Sequence, residues 1–207
     1  MRTQAITYGV LEPISVQDVK DYARIASGNL EDGLIQSLIG AARKQCEEFA
    51  RMSISPREWR TTFRLPSYTR YGFGLGGSWH DPENVISGFT LPRGPILEFM
   101  ELNWGTHTGT VAAKGYAYIE SSQKVVWTEE YPHPPTGAVS LIASYKAGFA
   151  PNEAKHPTMC LAPDDVRLAV TILASHLYEN RAMEGQEIMP SRVQQLLRGW
   201  WSSISVA

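Results

Sequence analysis

Two stretches with the spacing of amphipathic helices lie near the start of the chain. Ser15 can cap a helix, because its side-chain oxygen can accept a backbone N–H bond, and Val16, Val19 and Ala23 share one face behind it. We predict a first helix from Ser15 to about residue 26. The second stretch has the clearest pattern and predicts a longer helix, with apolar residues three and four positions apart: Leu34, Ile35, Leu38, Ile39, Ala42, Cys46 and Phe49.

After Pro56 the period changes, and apolar and polar residues begin to alternate. Trp59 and Phe63 share one face, with Arg60 and Arg64 on the other. This is the pattern of a strand with one buried face. Turns rich in glycine and proline separate further short runs of this kind, which predicts a small antiparallel sheet or sandwich. The further strands are predicted at about residues 96–104, 111–119, 125–127 and 139–145.

Helical spacing returns at Pro163, a residue suited to the first turn of a helix. The apolar residues of this third helix are Val166, Ala169, Val170, Leu173, Ala174 and Leu177. A last, shorter helix is predicted from about Ser191, with apolar residues along one side: Val193, Leu196, Leu197 and Trp200.

This order of elements predicts an α+β fold. Two N-terminal and two C-terminal helices should form a helical bundle, interrupted by a small antiparallel β-sheet or sandwich insertion. We expect residues 1–55 and 160–207 to form the helical core and residues 56–150 to form the β insertion domain. The helices must meet again after the insertion, because neither pair alone can bury its apolar face.

Composition narrows the possible functions. Charged residues make up 19% of the 207 residues, against about 25% in an average globular protein. A low charged fraction is expected of a protein whose surface meets other subunits, because interface cores are depleted of charge. The formal net charge of −2 disfavours a surface devoted to nucleic acid, because such proteins are usually basic. No apolar stretch reaches the roughly 20 residues of a membrane helix, and no signal peptide is evident. We therefore expect synthesis in the cytoplasm and no membrane partner.

Candidate catalytic and metal sites lack the context that their chemistry needs. The glycine-rich run at residues 72–77 lies in a long aperiodic segment, residues 68–88, with no strand before it and no helix after it, as a phosphate loop requires. Ser78 and His80 resemble part of a nucleophile elbow without its final glycine. The histidines have no zinc-ligand spacing, and Cys46 fits a small buried apolar residue. We expect no catalytic residue, no cofactor and no metal.

Two groups of residues are candidates for contact with partners. Arg57, Arg60 and Arg64 could face DNA in a channel or another subunit, or form the solvated face of a strand. Tryptophan is enriched at the centres of interfaces, and Trp200 and Trp201 lie side by side near the C-terminus. The residues predicted to anchor this segment to a partner are Leu196, Leu197, Trp200 and Trp201.

Several short motifs, in order along most of the chain, resemble the head–tail connector, or adaptor, proteins of long-tailed phages and gene transfer agents. The most specific is the helix end "SHLYENR" at residues 175–181, which is similar to the family's "AHLYENR". "LPRGPI" at residues 91–96 resembles its "LPRxPL" turn, and "YKAGF" at residues 145–149 resembles its strand end. Weaker matches lie at residues 11–20, 32–50 and 190–197.

The resemblance implies a structural protein of the virion neck and no enzymatic activity. It implies a twelve-fold ring of this chain that docks on the portal protein through its C-terminal segment. Such a ring would extend the DNA channel, without sequence-specific binding, toward the next neck protein, a stopper or tail terminator. The long segment at residues 68–88 and the tryptophan ending depart from the family pattern. Two alternatives stay open: a DNA-binding packaging or head-completion factor, and a hydrolase that uses Ser78 and His80.

Overall fold

A computed structural model describes residues 1–7, 11–26, 28–64, 88–128, 134–152, 156–180 and 189–202. The chain divides into two compact units. Residues 9–56 and 148–206 form the helical unit, and residues 1–8 and 57–147 form the β unit. Four helices and antiparallel sheets are present, so the predicted α+β class is confirmed. None of the helices in the described part is both long and apolar enough to cross a membrane.

The described part of the helical unit has four helices: α1 (Val16–Ala23), α2 (Asp32–Ala50), α3 (Asp164–Glu179) and α4 (Ser191–Ser202). Helix α2 packs against α3 and α4, and α1 packs against α2 and α3. Residues from all four helices share one core, which includes Val19, Ile39, Leu173 and Leu197. The two pairs of helices, far apart in sequence, therefore bury their apolar faces together.

Helix α1 begins as predicted and ends earlier. The Ser15 side chain accepts a hydrogen bond from the Asp18 N–H, while the Asp18 carboxylate accepts one from the Ser15 N–H. This reciprocal capping box satisfies two backbone donors that the first turn leaves free. The predicted end at about residue 26 is wrong, because Arg24 adopts the left-handed conformation and closes the helix after Ala23.

The buried face of α2 is narrower than its apolar stripe. Ile35, Ile39 and Cys46 are fully buried. Leu34, which the same pattern places among them, is 41% exposed. The stripe spans two adjoining rows of the helix surface, and only one of them faces the core.

The helical unit also contains a two-stranded antiparallel sheet that the sequence did not predict. Its strands are β9 (Pro151–Asn152) and β10 (His156–Cys160). Met159 in β10 also forms a parallel bridge with Glu12. These strands are too short for an alternating pattern to be recognised.

Within its described residues, the β unit has eight strands. A five-stranded antiparallel sheet has the order β1-β2-β8-β4-β5, and a three-stranded sheet has the order β3-β7-β6. Their bounds are β1 (Arg2–Ala5), β2 (Arg57–Arg64), β3 (Gly88–Thr90), β4 (Ile96–Thr106), β5 (Gly109–Ala112), β6 (Tyr116–Ile119), β7 (Lys124–Trp127) and β8 (Ala138–Ala147).

Two sequence expectations about the strands need correction. The single strand predicted at residues 111–119 is two strands in different sheets, β5 and β6, separated by Gly115 with its positive φ of 68°. The first residues were expected in the helical region, within residues 1–55. Instead β1 pairs with β2 along its whole length, from Arg2 with Thr62 to Ala5 with Trp59. Four residues carry too little pattern to reveal a strand.

Both sheets of the β unit contribute to one aromatic-rich core. Trp104 of β4 and Trp127 of β7 stack nearly parallel, with ring centroids 5.7 Å apart. Phe63 of β2 packs at 4.6 Å against Phe89 of β3. The two sheets therefore pack as a small sandwich, within the alternatives that the sequence left open.

Candidate interaction surfaces

The C-terminal helix α4 is held to its own unit by Trp200. The Trp200 Nε1 donates a 2.8 Å hydrogen bond to Asp165 Oδ2 at the start of α3. The Trp200 ring also meets Phe149 edge to face, with centroids 5.7 Å apart. Because the indole N–H donates to a carboxylate of the same unit, the half-buried Trp200 stabilises the position of α4. Part of its side chain lies at the surface.

Leu197, predicted to contact a partner, belongs to the core of the helical unit. Its side chain is fully buried, as is that of Val193 one turn earlier. Leu196 is partly buried and packs against the same core. Leu197 therefore anchors the helix to its own unit, and its contact with a partner stays a prediction.

The fourth residue predicted for this contact, Trp201, lies in the last turn of α4. Its side chain lies outside the described part of the chain. The neighbouring residues Gln195, Arg198 and Gly199 are exposed. The exposed side of α4 is thus polar along the described turns.

The three arginines singled out on β2 do not share one surface. Arg60 and Arg64 are exposed, on the face opposite Trp59 and Phe63. Arg57 instead has the parity of Trp59, and its guanidinium lies 5.3 Å from the centre of that ring. Arg93 lies at 5.4 Å from the same ring. Arg57 is therefore part of a cation–π cluster that caps Trp59, apart from the other two.

The exposed face of the five-stranded sheet carries charges of both signs. On the β1–β2 side, Arg2 pairs with Thr62, two residues from Arg60 and Arg64. On β4, Glu101 is opposite Ser144 of β8, which donates a 3.2 Å hydrogen bond to it. A third cross-strand row runs Glu58, Lys146, Glu98. All of these charged residues except the half-buried Glu58 are exposed.

Two of the family-like motifs meet in the β unit. Tyr145, fully buried in β8, donates a 2.6 Å hydrogen bond to the carbonyl oxygen of Pro92 in the "LPRGPI" turn. Its hydroxyl also lies 3.0 Å from the Thr61 hydroxyl, which is 3.1 Å from that of Thr3. Burial raises the pKa of Tyr145 above its usual range, so the phenol keeps the proton that it donates. The tyrosine of one motif therefore fixes the turn of the other.

The glycine of the "YKAGF" motif has a steric reason to be glycine. Gly148 has φ +132°, and a Cβ there would lie 2.6 Å from Pro56 Cα and 2.7 Å from the Ser55 carbonyl carbon. Beside it, Phe149 N–H donates to the carbonyl oxygen of Ile54 at 3.0 Å. Two backbone segments of the helical unit pass so closely here that no side chain fits.

The most specific motif, at the end of α3, also has structural contacts. The Tyr178 hydroxyl donates a hydrogen bond to the Glu31 carboxylate just before α2. The Asn180 side-chain amide donates to the His176 carbonyl oxygen at 2.9 Å and lies 3.0 Å from its ring Nδ1. These contacts close the end of α3 and connect it to α2.

A buried ion cluster in the helical unit was missed by sequence reasoning. Arg43 donates through Nε and Nη2 to the two oxygens of Glu12, at 2.8 and 3.3 Å, and through Nη1 to Glu47 at 3.1 Å. The other Glu47 oxygen accepts the backbone N–H groups of Ile54 and Ser55, at 2.8 and 3.2 Å. The spacing of Arg43 and Glu47, one helical turn apart, was the available signal. Glu12 comes from a distant loop and gave none.

The surroundings of the two cysteines, and of the possible metal ligands in the described residues, do not favour reaction chemistry. Burial raises the pKa of the Cys46 thiol to about 12 and that of Cys160 to about 11, so neither is a ready nucleophile. In the described ranges, no three potential metal ligands come together. The glycine run at residues 72–77, with Ser78 and His80, lies outside the described residues.

Three solved structures contain chains that are similar to this one. One is described as "Neck of empty GTA particle computed with C6 symmetry", with a TM-score of 0.67, 23% identity, and coverage of 97% of this chain and 95% of that chain. A chain of "Virion of native gene transfer agent (GTA) particle" gives 0.66, 22%, 97% and 95%. A chain of "Neck of native GTA particle computed with C12 symmetry" gives 0.61, 22%, 97% and 94%.

The likeness covers both units and nearly the whole of each matched chain. At these identities it establishes the fold, which is that of chains from gene transfer agent particles. This agrees with the resemblance to head–tail connectors seen in the sequence motifs. Comparison with protein-family models and with curated proteins gives no match.

Proposed function

We propose that this chain is a structural, non-enzymatic protein of a phage-like virion neck, the head–tail connector. In this proposal it docks on the portal protein, forms a twelve-fold ring and extends the DNA channel toward the next neck protein. The observation that carries the proposal is the fold likeness to neck chains over 97% of the sequence, including both units. Synthesis in the host cytoplasm and assembly into the virion neck follow from it.

The buried polar groups support a structural role. The two networks, around Arg43 and around Tyr145, satisfy their partners inside the fold. Perturbed groups in an active site usually line a cleft open to substrate. Here Tyr145 is fully buried and Arg43 is 5% exposed.

The DNA-binding alternative has less support. Arg60 and Arg64 could contact phosphates, but Glu98 and Glu101 lie on the same sheet face. The chain as a whole has a net charge of −2. The phosphates of duplex DNA on this face would therefore be attracted by the arginines and repelled by the glutamates.

The portal contact that we propose uses the end of α4, with Trp201 as its main anchor. Leu197 and Trp200 hold the helix in place from within the unit. Leu196, partly buried, belongs to the same supporting side. In this proposal, these three residues position the segment and Trp201 makes the contact with the partner.

The test is co-assembly of the purified chain with the portal protein encoded by the same genome. We expect the chain to co-elute with the portal as a large complex. Native mass spectrometry of this complex should count twelve copies of the chain. Trp201→Ala should keep the thermal midpoint and lose at least about tenfold in portal affinity, as for an interface anchor. Gln195→Ala, on the exposed side of α4, is the matched control.

Absence of any wild-type complex with the portal, from low to physiological salt, would overturn the proposed function. Salt-sensitive binding of duplex DNA in its place would favour the packaging factor. A Trp201→Ala variant that binds as well as wild type would move the portal contact away from the end of α4.

A further inference from the structure

The exposed face of the five-stranded sheet is sorted by charge. Its β1–β2 side has the exposed bases Arg2, Arg60 and Arg64, and its β4 side has the exposed acids Glu98 and Glu101. Across the described ranges, none of the three arginines takes part in an ion pair. We name these two regions the basic side and the acidic side of the sheet.

The two sides cannot readily neutralise each other within one copy. Arg60 and Glu101 belong to the same cross-strand row but are separated by β8, with Ser144 between them. Two strand spacings put their backbones about 10 Å apart. Lys146, in the next row, is already flanked by Glu58 and Glu98. Charges of opposite sign are thus presented outward, in two separate places.

The acidic side also exposes apolar residues at an open edge. Strand β4 has two bulges, at which Leu97 and Met100 are 40% and 50% exposed. In the described part of the chain, β5 pairs only with residues 103–106 of β4 and leaves residues 96–101 without a strand on that side. Bulges interrupt the regular ladder of backbone groups that strand addition requires. A partner would therefore contact side chains here.

The basic side has a smaller apolar element of its own. Ile6, directly after β1, is 42% exposed. Beyond β1 the described sheet has no further strand. Each side of the sheet therefore combines an open edge, exposed apolar surface and exposed charges of one sign, with the half-buried Glu58 as an acid on β2.

These features favour a second copy of this chain over DNA as the occupant. A ring closes through two different surfaces of each subunit that fit one another, and opposite charge steers such surfaces together and fixes their register. Duplex DNA would be attracted to Arg60 and Arg64 and repelled by Glu98 and Glu101.

We infer that the acidic side of the sheet in one copy contacts the basic side in the next copy, so that Glu98 and Glu101 face Arg60 and Arg64 of the neighbour. The contact rests on the proposed function, because it supplies one subunit–subunit interface of the proposed ring. Leu97 and Met100 pack beside it, and salt weakens it.

Charge reversal tests this contact. Arg60→Glu with Arg64→Glu makes both sides acidic, and Glu98→Lys with Glu101→Lys makes both sides basic. Each double variant should lower ring assembly on the portal by on the order of tenfold or more, because like charges then meet. An equimolar mixture of the two should restore assembly, since opposite sides again alternate. Lys44→Glu with Lys114→Glu, at two exposed positions outside these sides, should assemble like wild type.

Cross-linking gives a readout that does not depend on these variants folding well. Arg60→Cys with Glu101→Cys should form a ladder of covalent multimers on oxidation. The two introduced thiols lie too far apart to join within one copy, and the buried Cys46 and Cys160 react slowly. The control pair, Lys44→Cys with Lys114→Cys, should form no ladder.

The outcomes separate the contact from the proposed function. If the wild type joins the portal while both reversed variants fill the ring equally well and no ladder forms, the contact is wrong and the function stands. A ladder from a chain that never joins the portal would support the contact and overturn the function. If the wild-type chain never joins the portal and the Arg60→Cys with Glu101→Cys variant forms no ladder, both the contact and the function are overturned.

Discussion

The helical unit and the β unit each contain a buried polar network, and these two networks are built differently. In the helical unit the network is ionic, with Arg43 between Glu12 and Glu47. In the β unit it is neutral, a chain of hydroxyls from Thr3 through Thr61 and Tyr145 to the Pro92 carbonyl oxygen. Both networks connect segments that are distant in sequence.

This contrast predicts how the stability of each unit responds to substitution. Removing one partner from a buried ion pair leaves an uncompensated charge, which costs far more than the pair itself contributes. Removing one hydroxyl leaves neutral groups with fewer hydrogen bonds, a smaller cost. The helical unit should therefore be the more sensitive of the two to single polar substitutions.

The largest effect is expected from Gly148→Ala in the helical unit. The new Cβ would lie 2.6 Å from Pro56 Cα, a backbone atom that cannot rotate away. Backbone strain and this clash together should cost about 4 kcal/mol or more in the free energy of unfolding, measured by urea denaturation followed by circular dichroism at 222 nm. Gly33→Ala, where the added Cβ meets nothing within 4 Å, is the control. Equal stabilities of the two variants would refute this account of Gly148.

Next in size is Arg43→Ala. The carboxylates of Glu12 and Glu47 would lose their cation, and the free energy of unfolding should fall by about 3–5 kcal/mol. Lys44→Ala, at the exposed neighbouring position, should change it by less than about 0.5 kcal/mol. The same urea titration applies. A loss of stability no larger than that of Tyr145→Phe would contradict the expected difference between the ionic and the neutral network.

Leu197→Ala should cost about 3 kcal/mol, because it leaves a cavity in the core of the helical unit. Its side chain is fully buried, so the thermal midpoint should drop before any partner is added. Gln195→Ala on the exposed side of α4 serves as the reference. If Leu197→Ala kept full stability and lost only portal binding, the result would support the prediction that Leu197 contacts the portal directly.

The smallest effect is expected from Tyr145→Phe in the β unit. The lost hydroxyl leaves the Pro92 carbonyl oxygen and Thr61 without this partner, at a cost of about 1–2 kcal/mol. Near-ultraviolet circular dichroism of the stacked Trp104–Trp127 pair would report the β unit, and Tyr22→Phe, at an exposed site, is the matched change. A cost above that of Arg43→Ala would reverse the ranking of the two units.

The helices were the most predictable part of the fold. The buried residues of α2 and α3 recur at three- and four-residue spacing within one segment, so a local window contains the whole signal. The capping of α1 was equally local, with Ser15 and Asp18 three residues apart. The strand pattern of β2 was clear for the same reason.

Sequence reasoning failed where a decision depended on distant segments. Strand β1 is defined by its pairing with β2, more than fifty residues away. The burial of Leu197 in its own unit was not anticipated, because sequence alone does not tell whether an apolar residue is buried by its own core or by another protein. Arg57 lies on the opposite face of β2 from Arg60 and Arg64, because alternate residues of a strand face opposite sides. The sequence pattern already showed this alternation, but the three arginines were nevertheless grouped together.

Local periods and short motifs were enough to predict the α+β class, the positions of the four helices and the motifs that resemble head–tail connectors. The three-dimensional fold was needed to show which apolar residues are core, which charges are paired, and where exposed charges of opposite sign lie on one sheet face. The physical reason is that burial and ion pairing depend on three-dimensional neighbours. Arg43 and Arg60 carry the same charge, yet one is enclosed by two carboxylates and the other is exposed.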